Sequence, residues 1–105
     1  MVAAPRPEQD CAQKLKVLAD PTRLSVLEIL GEGPMHVGEM NQVLHLEQSL
    51  LSHHLKVLRE AGLVEAVRDG KAVLYRRTDA EEAGAGAIDL GCCRLEFPGR
   101  DPSDA

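Results

Sequence analysis

The chain has 105 residues, 44% of them hydrophobic and 28% charged, which is material for one ordinary globular domain and excludes a second. With Tyr75 and Phe97 as its only aromatics, its core must be built from Leu, Val, Ile, Ala and Met, a palette suited to helices packed on helices. A domain this short buries surface inefficiently, so a second copy is an expected cover for any apolar face left over. Charges interrupt every hydrophobic stretch before the roughly 18 to 20 residues a membrane span needs. Met1 to Asp10 has no apolar signal core, so no membrane is expected as a partner and the cytoplasm is the expected compartment.

The net charge of −5 is unevenly placed. Residues 1–47 carry four Lys/Arg against seven Asp/Glu, residues 48–78 six against three, and residues 79–105 two against seven. The middle third is therefore a basic island, which is either a solvated face or a phosphate-binding one.

In chain order, residues 1–7 read as a flexible arm, and a first helix follows from Glu8 to Ala19 with Cys11, Leu15 and Leu18 on one face. Asp20 is placed to cap a second helix and Pro21 to open it, and Gly31 to Pro34 close it. A short third helix spans Val37 to Leu44. The fourth begins near Gln48, where Leu51, Leu55 and Leu58 at i, i+4 and i+7 define a buried stripe. At about 100° per residue, Ser49, Ser52, His53 and Lys56 point away from that stripe and His54 lies beside it. After Ala61-Gly62, strands over Leu63–Arg68 and Ala72–Arg77 flank an Asp69-Gly70 turn. From Thr78 the Ala, Gly and acidic residues predict a last helix that ends at Gly91. One domain is thus expected over residues 8–91, with a cysteine-pair segment and mobile tail over 92–105.

A short helix, a tight connection, a helix with a polar outer face and a basic hairpin make a winged helix-turn-helix, mainly α with a small β-hairpin wing. Such a fold binds double-stranded DNA or serves as a protein-interaction module. The DNA-facing candidates are Gln48, Ser49, Ser52, His53 and Lys56 on the helix, with Arg68, Lys71, Arg76 and Arg77 on the wing. No Ser/His/Asp set, phosphate-cradling glycine loop or carboxylate pair can be assembled, which argues against an enzyme.

The run Leu15-Lys16-Val17-Leu18-Ala19-Asp20-Pro21-Thr22-Arg23-Leu24 and the run Ser52 to Val64, with Asp69-Gly70-Lys71 and Tyr75 at matching spacing, resemble the ArsR/SmtB family of metalloregulators. The resemblance covers residues 10 to 78. It implies a homodimeric winged-helix repressor that leaves its operator when an inducer binds, with the first and last helices at the dimer interface. Leu15, Leu18, Ile88 and Leu90 are the expected interface residues. The chain departs from the family's inducer sites: where a Cys-Val-Cys motif is usual it has His36-Val37-Gly38, and its last segment has Asp89 but no His. Glu47 replaces the usual small polar cap of the recognition helix, and Leu50 stands where a polar residue is common.

Cys92 and Cys93 remain for the chemistry. Either they are two small hydrophobes or, just after Gly91, both sulfurs turn toward one ion. Soft thiolates favour soft ions, and Cys11 is the only further thiol, so a three-thiolate site for As(III) or Sb(III) is expected. Cys11 comes either from the same chain or from the partner. A thiol-oxidation or persulfide switch and a Cd(II) or Pb(II) site are the alternatives.

Overall fold

The computed structural model describes residues 7–79, 83, 84 and 86–97. Residues 1–6 of the expected arm (1–7) and residues 98–105 of the expected cysteine-pair segment and tail (92–105) lie outside the described residues, as does part of the expected last helix.

The Asp20-Pro21 junction behaves as its residues dictate. Helix α1 (Pro7–Leu18) stops, Asp20 adopts an extended backbone, and its Oδ1 accepts from the Arg23 N–H at 3.0 Å to cap α2 (Pro21–Leu30). That hydrogen bond holds the Asp20 carboxyl below its ordinary range. Asp20→Ala is expected to cost about 1 kcal/mol, measured by urea denaturation, as for other N-caps. Arg23 then ties three helical segments together: Nη1 donates to Val17 O at 3.1 Å and Nε to His54 Nδ1 at 3.2 Å.

Strand β1 (Met35–His36), which no local pattern announced, leads into α3 (Val37–Leu44). At the start of α3 the Glu39 carboxylate accepts from the His36 N–H at 2.9 Å and lies 2.8 Å from its Nδ1. The tight connection to α4 (Gln48–Glu60) uses His45 at φ 54°, and Asn41 brackets the Leu46 backbone with two bonds of 2.7 Å. At the far end of α4, Gly62 at φ 77° lets its N–H reach Arg59 O while Leu63 N–H reaches Leu58 O, both at 3.0 Å. This left-handed residue satisfies two carbonyls that the helix end leaves orphaned.

The wing is β2 (Val64–Asp69) against β3 (Ala72–Arg77), antiparallel with Asp69 opposite Ala72 and Val64 opposite Arg77. Strand β1 pairs on the other side of β3 through Met35–Tyr75 and His36–Leu74, giving the order β1-β3-β2. Leu51, Leu55 and Leu58 are buried as their spacing requires, in one core with Val26, Leu27, Leu30, Met40 and Val64.

The expected last helix does not run on to Gly91: among the described residues of that span only Ala83 is helical, its N–H donating to Asp79 O at 3.0 Å. Ala87–Asp89 is a strand, β4, paired antiparallel with β5 (Arg94–Glu96), with Ile88 opposite Leu95. The reason is visible in the residues: Ile88 and Leu90, then Leu95 and Phe97, alternate with polar neighbours, a period of two that favours strands. This hairpin folds onto the same core, so Leu18, Ile88 and Leu90, at 3%, 1% and 3% exposure, are interior residues of one chain. They are not available as dimer contacts; of the four expected, only Leu15 is exposed.

Among the described residues no helix is long and apolar enough to cross a membrane.

Candidate functional site

The β4–β5 turn places Cys92 and Cys93 beside α1. Leu90 N–H donates to Cys93 O at 2.9 Å, and Gly91, at φ 84°, supplies the left-handed residue this tight reversal needs. Lys14, one turn after Cys11, donates to Leu90 O at 3.2 Å and pairs with Asp10 at 3.3 Å, so the hairpin turn is pinned to α1 independently of sulfur.

All three cysteines of the sequence meet there. Cys11 and Cys92 are joined as a disulfide with their Cα atoms 5.9 Å apart, and Cys93 Sγ lies 3.4 Å from Cys11 Sγ. The three sulfurs fall within 4.8 Å of one another; Cys92 is exposed, while Cys11 and Cys93 are half-buried. All three come from a single chain, so no partner subunit is required to complete the cluster. Once the disulfide is reduced, three soft donors in so small a space fit one thiophilic ion.

The residues expected to face nucleic acid are not all at the surface. Gln48, Ser49, Ser52, His53 and Lys56 are exposed along α4, opposite its buried leucines, and His54 is buried beside them. Glu47 caps α4 through Ser49: its carboxylate accepts from the Ser49 N–H at 3.3 Å and from Ser49 Oγ at 2.6 and 2.7 Å. Arg68 and Lys71 are exposed at the wing tip, and Arg76 is exposed and paired with Glu65 on the neighbouring strand.

Arg77 is a correction. It was expected among the phosphate contacts, but its side chain is wholly buried. Nε and Nη2 clasp both Asp79 oxygens at 2.8 and 2.7 Å, Nη1 donates to Leu27 O at 3.3 Å, and Nη2 also donates to Ala87 O. Asp79 in turn accepts from the Asp89 N–H at 2.7 Å. The physical reason is the pleat: Val64 and Arg77 are opposite one another at the buried base of the wing, whereas Arg76 faces the other way. The sequence offered one signal, an acid two residues after the Arg, but its meaning depends on β4 folding back to close the site.

This latch has a pH consequence. Burial pushes the Asp79 carboxyl up, but the Arg77 hydrogen bonds and charge and the Asp89 N–H outweigh it and hold the group below the ordinary Asp value of 3.8. A depressed folded-state pKa stabilises the fold above the ordinary value, and that contribution is lost as pH falls through the folded value. Urea midpoints followed from about pH 6 to pH 3 should therefore fall in acid, and Asp79→Asn should be less stable at neutral pH with a shallower acid decline.

Comparison with known proteins accounts for this architecture. Residues 20–66 match the model for "Bacterial regulatory protein, arsR family". The chain is 43% identical over 74 residues to the biofilm growth-associated repressor of Xylella fastidiosa, a match covering 70% of this chain and 65% of that protein's length. It is 39% identical over 84 residues to the HTH-type transcriptional regulator NmtR of Mycobacterium tuberculosis, covering 77% of this chain and 70% of that one. In three dimensions it is similar to the crystal structure of M. tuberculosis Rv0081, with a TM-score of 0.66 and 40% identity over 75% of this chain and 82% of that one. The residues that cap α2 and bury α4 lie in the matched segment, and the chain belongs to the arsR family of bacterial regulatory proteins.

Proposed function

We propose that the protein is a homodimeric transcriptional repressor that binds double-stranded operator DNA through α4 and the wing, and that As(III) or Sb(III) held by Cys11, Cys92 and Cys93 releases it. The observation that carries the inducer assignment is the convergence of three sulfurs of one chain within 4.8 Å. The ion supplies a covalent-like link among three thiolates, joining α1 to the C-terminal hairpin. The chain's own residues carry the rest. Arg77 and Asp79 fasten β4 to the end of wing strand β3 and to α2, so a shift of the hairpin reaches the wing through groups that have little freedom to rearrange. Release needs only that the ion bind the DNA-free conformation better than the bound one. Gln48, Ser49, Ser52 and His53 are assigned to base edges, and Lys56, Arg68, Lys71 and Arg76 to phosphates. The repressor works in the cytoplasm and has no catalytic role in this reading.

X-ray absorption at the arsenic edge of the reduced, arsenite-loaded protein tests the inducer site. Three sulfur neighbours are expected; oxygen or nitrogen neighbours would place the ion elsewhere. A second reading is favoured by the Cys11–Cys92 disulfide itself: oxidation of the same cluster, rather than an ion, releases the DNA.

A further inference from the structure

We infer that the oxidised cluster is a self-exchanging disulfide, in which the Cys93 thiolate attacks Cys11 Sγ and converts the Cys11–Cys92 bond into a Cys11–Cys93 bond. The inference rests on the thiol-oxidation reading and adds to it the identity of the shared partner, Cys11. Cys93 Sγ stands 3.4 Å from Cys11 Sγ, a reacting separation, and because the three sulfurs lie within 4.8 Å of one another, a rotation of the Cys93 side chain must bring its sulfur into line with the breaking bond. In the step, Cys93 gives its proton to solvent, its thiolate forms the new S–S bond, and the electron pair of the broken bond leaves on Cys92, which takes up a proton. One disulfide and one thiol are present before and after, so no oxidant or reductant is consumed.

The alternative attack, on Cys92 Sγ, is disfavoured by geometry. It would join neighbouring residues, whose Cα atoms are about 3.8 Å apart across a trans peptide, closer than the roughly 4.4 to 6.8 Å of ordinary disulfides. The backbone leaves the productive exchange open. The turn is held by Leu90 N–H on Cys93 O and by Lys14 on Leu90 O, bonds that involve no sulfur, so both isomers can form on one hairpin. Their consequences differ. In the Cys11–Cys92 isomer the free thiol is half-buried Cys93, packed on the core, and in the other it is Cys92, which faces solvent. Exchange thus brings a shielded thiol to the surface without reducing the protein.

The test uses the full chain oxidised with diamide, incubated near neutral pH, quenched in acid, alkylated and digested without reduction for mass spectrometry. Wild type should yield both Cys11–Cys92 and Cys11–Cys93 peptides, with alkyl label shared between Cys93 and Cys92. Cys92→Ser should still lose two thiols on oxidation, through Cys11–Cys93, and Cys11→Ser should lose none. Only Cys11–Cys92 in wild type, with all label on Cys93, would overturn the exchange while leaving the oxidation reading intact. A wild-type chain that keeps all three thiols in diamide overturns both.

Discussion

Arg77→Ala is expected to destabilise the fold by about 3–5 kcal/mol, because it strands a buried carboxylate and removes the donors to two backbone carbonyls. In a domain of this size the midpoint of thermal unfolding should drop by roughly 12 °C or more, at about 4 °C or more per kcal/mol. Arg76→Ala, one residue away, provides the contrast. Arg76 is half exposed and its pair with Glu65 lies in solvent, so its loss should cost no more than about 1 kcal/mol. Urea denaturation of the two variants beside wild type measures the difference. Similar, small losses for both would mean that Arg77 is not a structural latch, and a normally stable Arg77→Ala with weakened DNA binding would return it to the phosphate face.

The second large effect is the response of DNA binding to salt. Lys56, Arg68, Lys71 and Arg76 give four exposed cations per subunit on the proposed face, hence eight in a dimer. Each phosphate neutralised contributes about 0.9 to the slope of log affinity against log salt, so the slope should approach about −7. Affinity should fall by roughly three to five orders of magnitude between about 50 and 200 mM salt. Lys71→Ala should make the slope shallower by about 2 per dimer and weaken binding uniformly across sequences. Ser52→Ala or His53→Ala should instead alter base preference more than nonspecific affinity. Fluorescence anisotropy over a salt series reads all of these, and a flat salt dependence would remove the DNA face assigned to α4 and the wing.

What the sequence disclosed follows from how local each signal is. The leucine stripe of α4, the Asp20-Pro21 cap and the wing strands are each set by neighbours within a few residues, and their places in the structure match. The thiol cluster was legible for a different reason: three cysteines, two of them adjacent, leave few ways to assemble a site. Non-local features were hidden. Strand β1 exists because Met35 and His36 find Tyr75 and Leu74, some forty residues away. The run of Ala and Gly before Ile88 reads as a weak helix, and only the alternation of Ile88, Leu90, Leu95 and Phe97 points to the hairpin that forms. Arg77 looks like any other wing cation until that hairpin is in place, since Ala87 O and the Asp89 N–H complete its pocket. The same hairpin removes Ile88 and Leu90 from the expected dimer interface, so any dimer must use other surface, with Leu15 of α1 exposed and available.

Control of DNA occupancy by the thiol cluster is the central claim, and the most direct measurement is release of a fluorescent duplex, enriched from a random pool by the reduced protein, as arsenite is titrated in. Wild type is expected to lose affinity roughly 5- to 150-fold, the usual range of coupling between two sites, with one ion bound per chain. The variant with Cys11, Cys92 and Cys93 all replaced by Ser should bind the duplex as tightly as wild type and stay bound at every arsenite concentration. Release of that triple variant by arsenite, or a wild-type complex that neither arsenite nor diamide disturbs, would contradict the account.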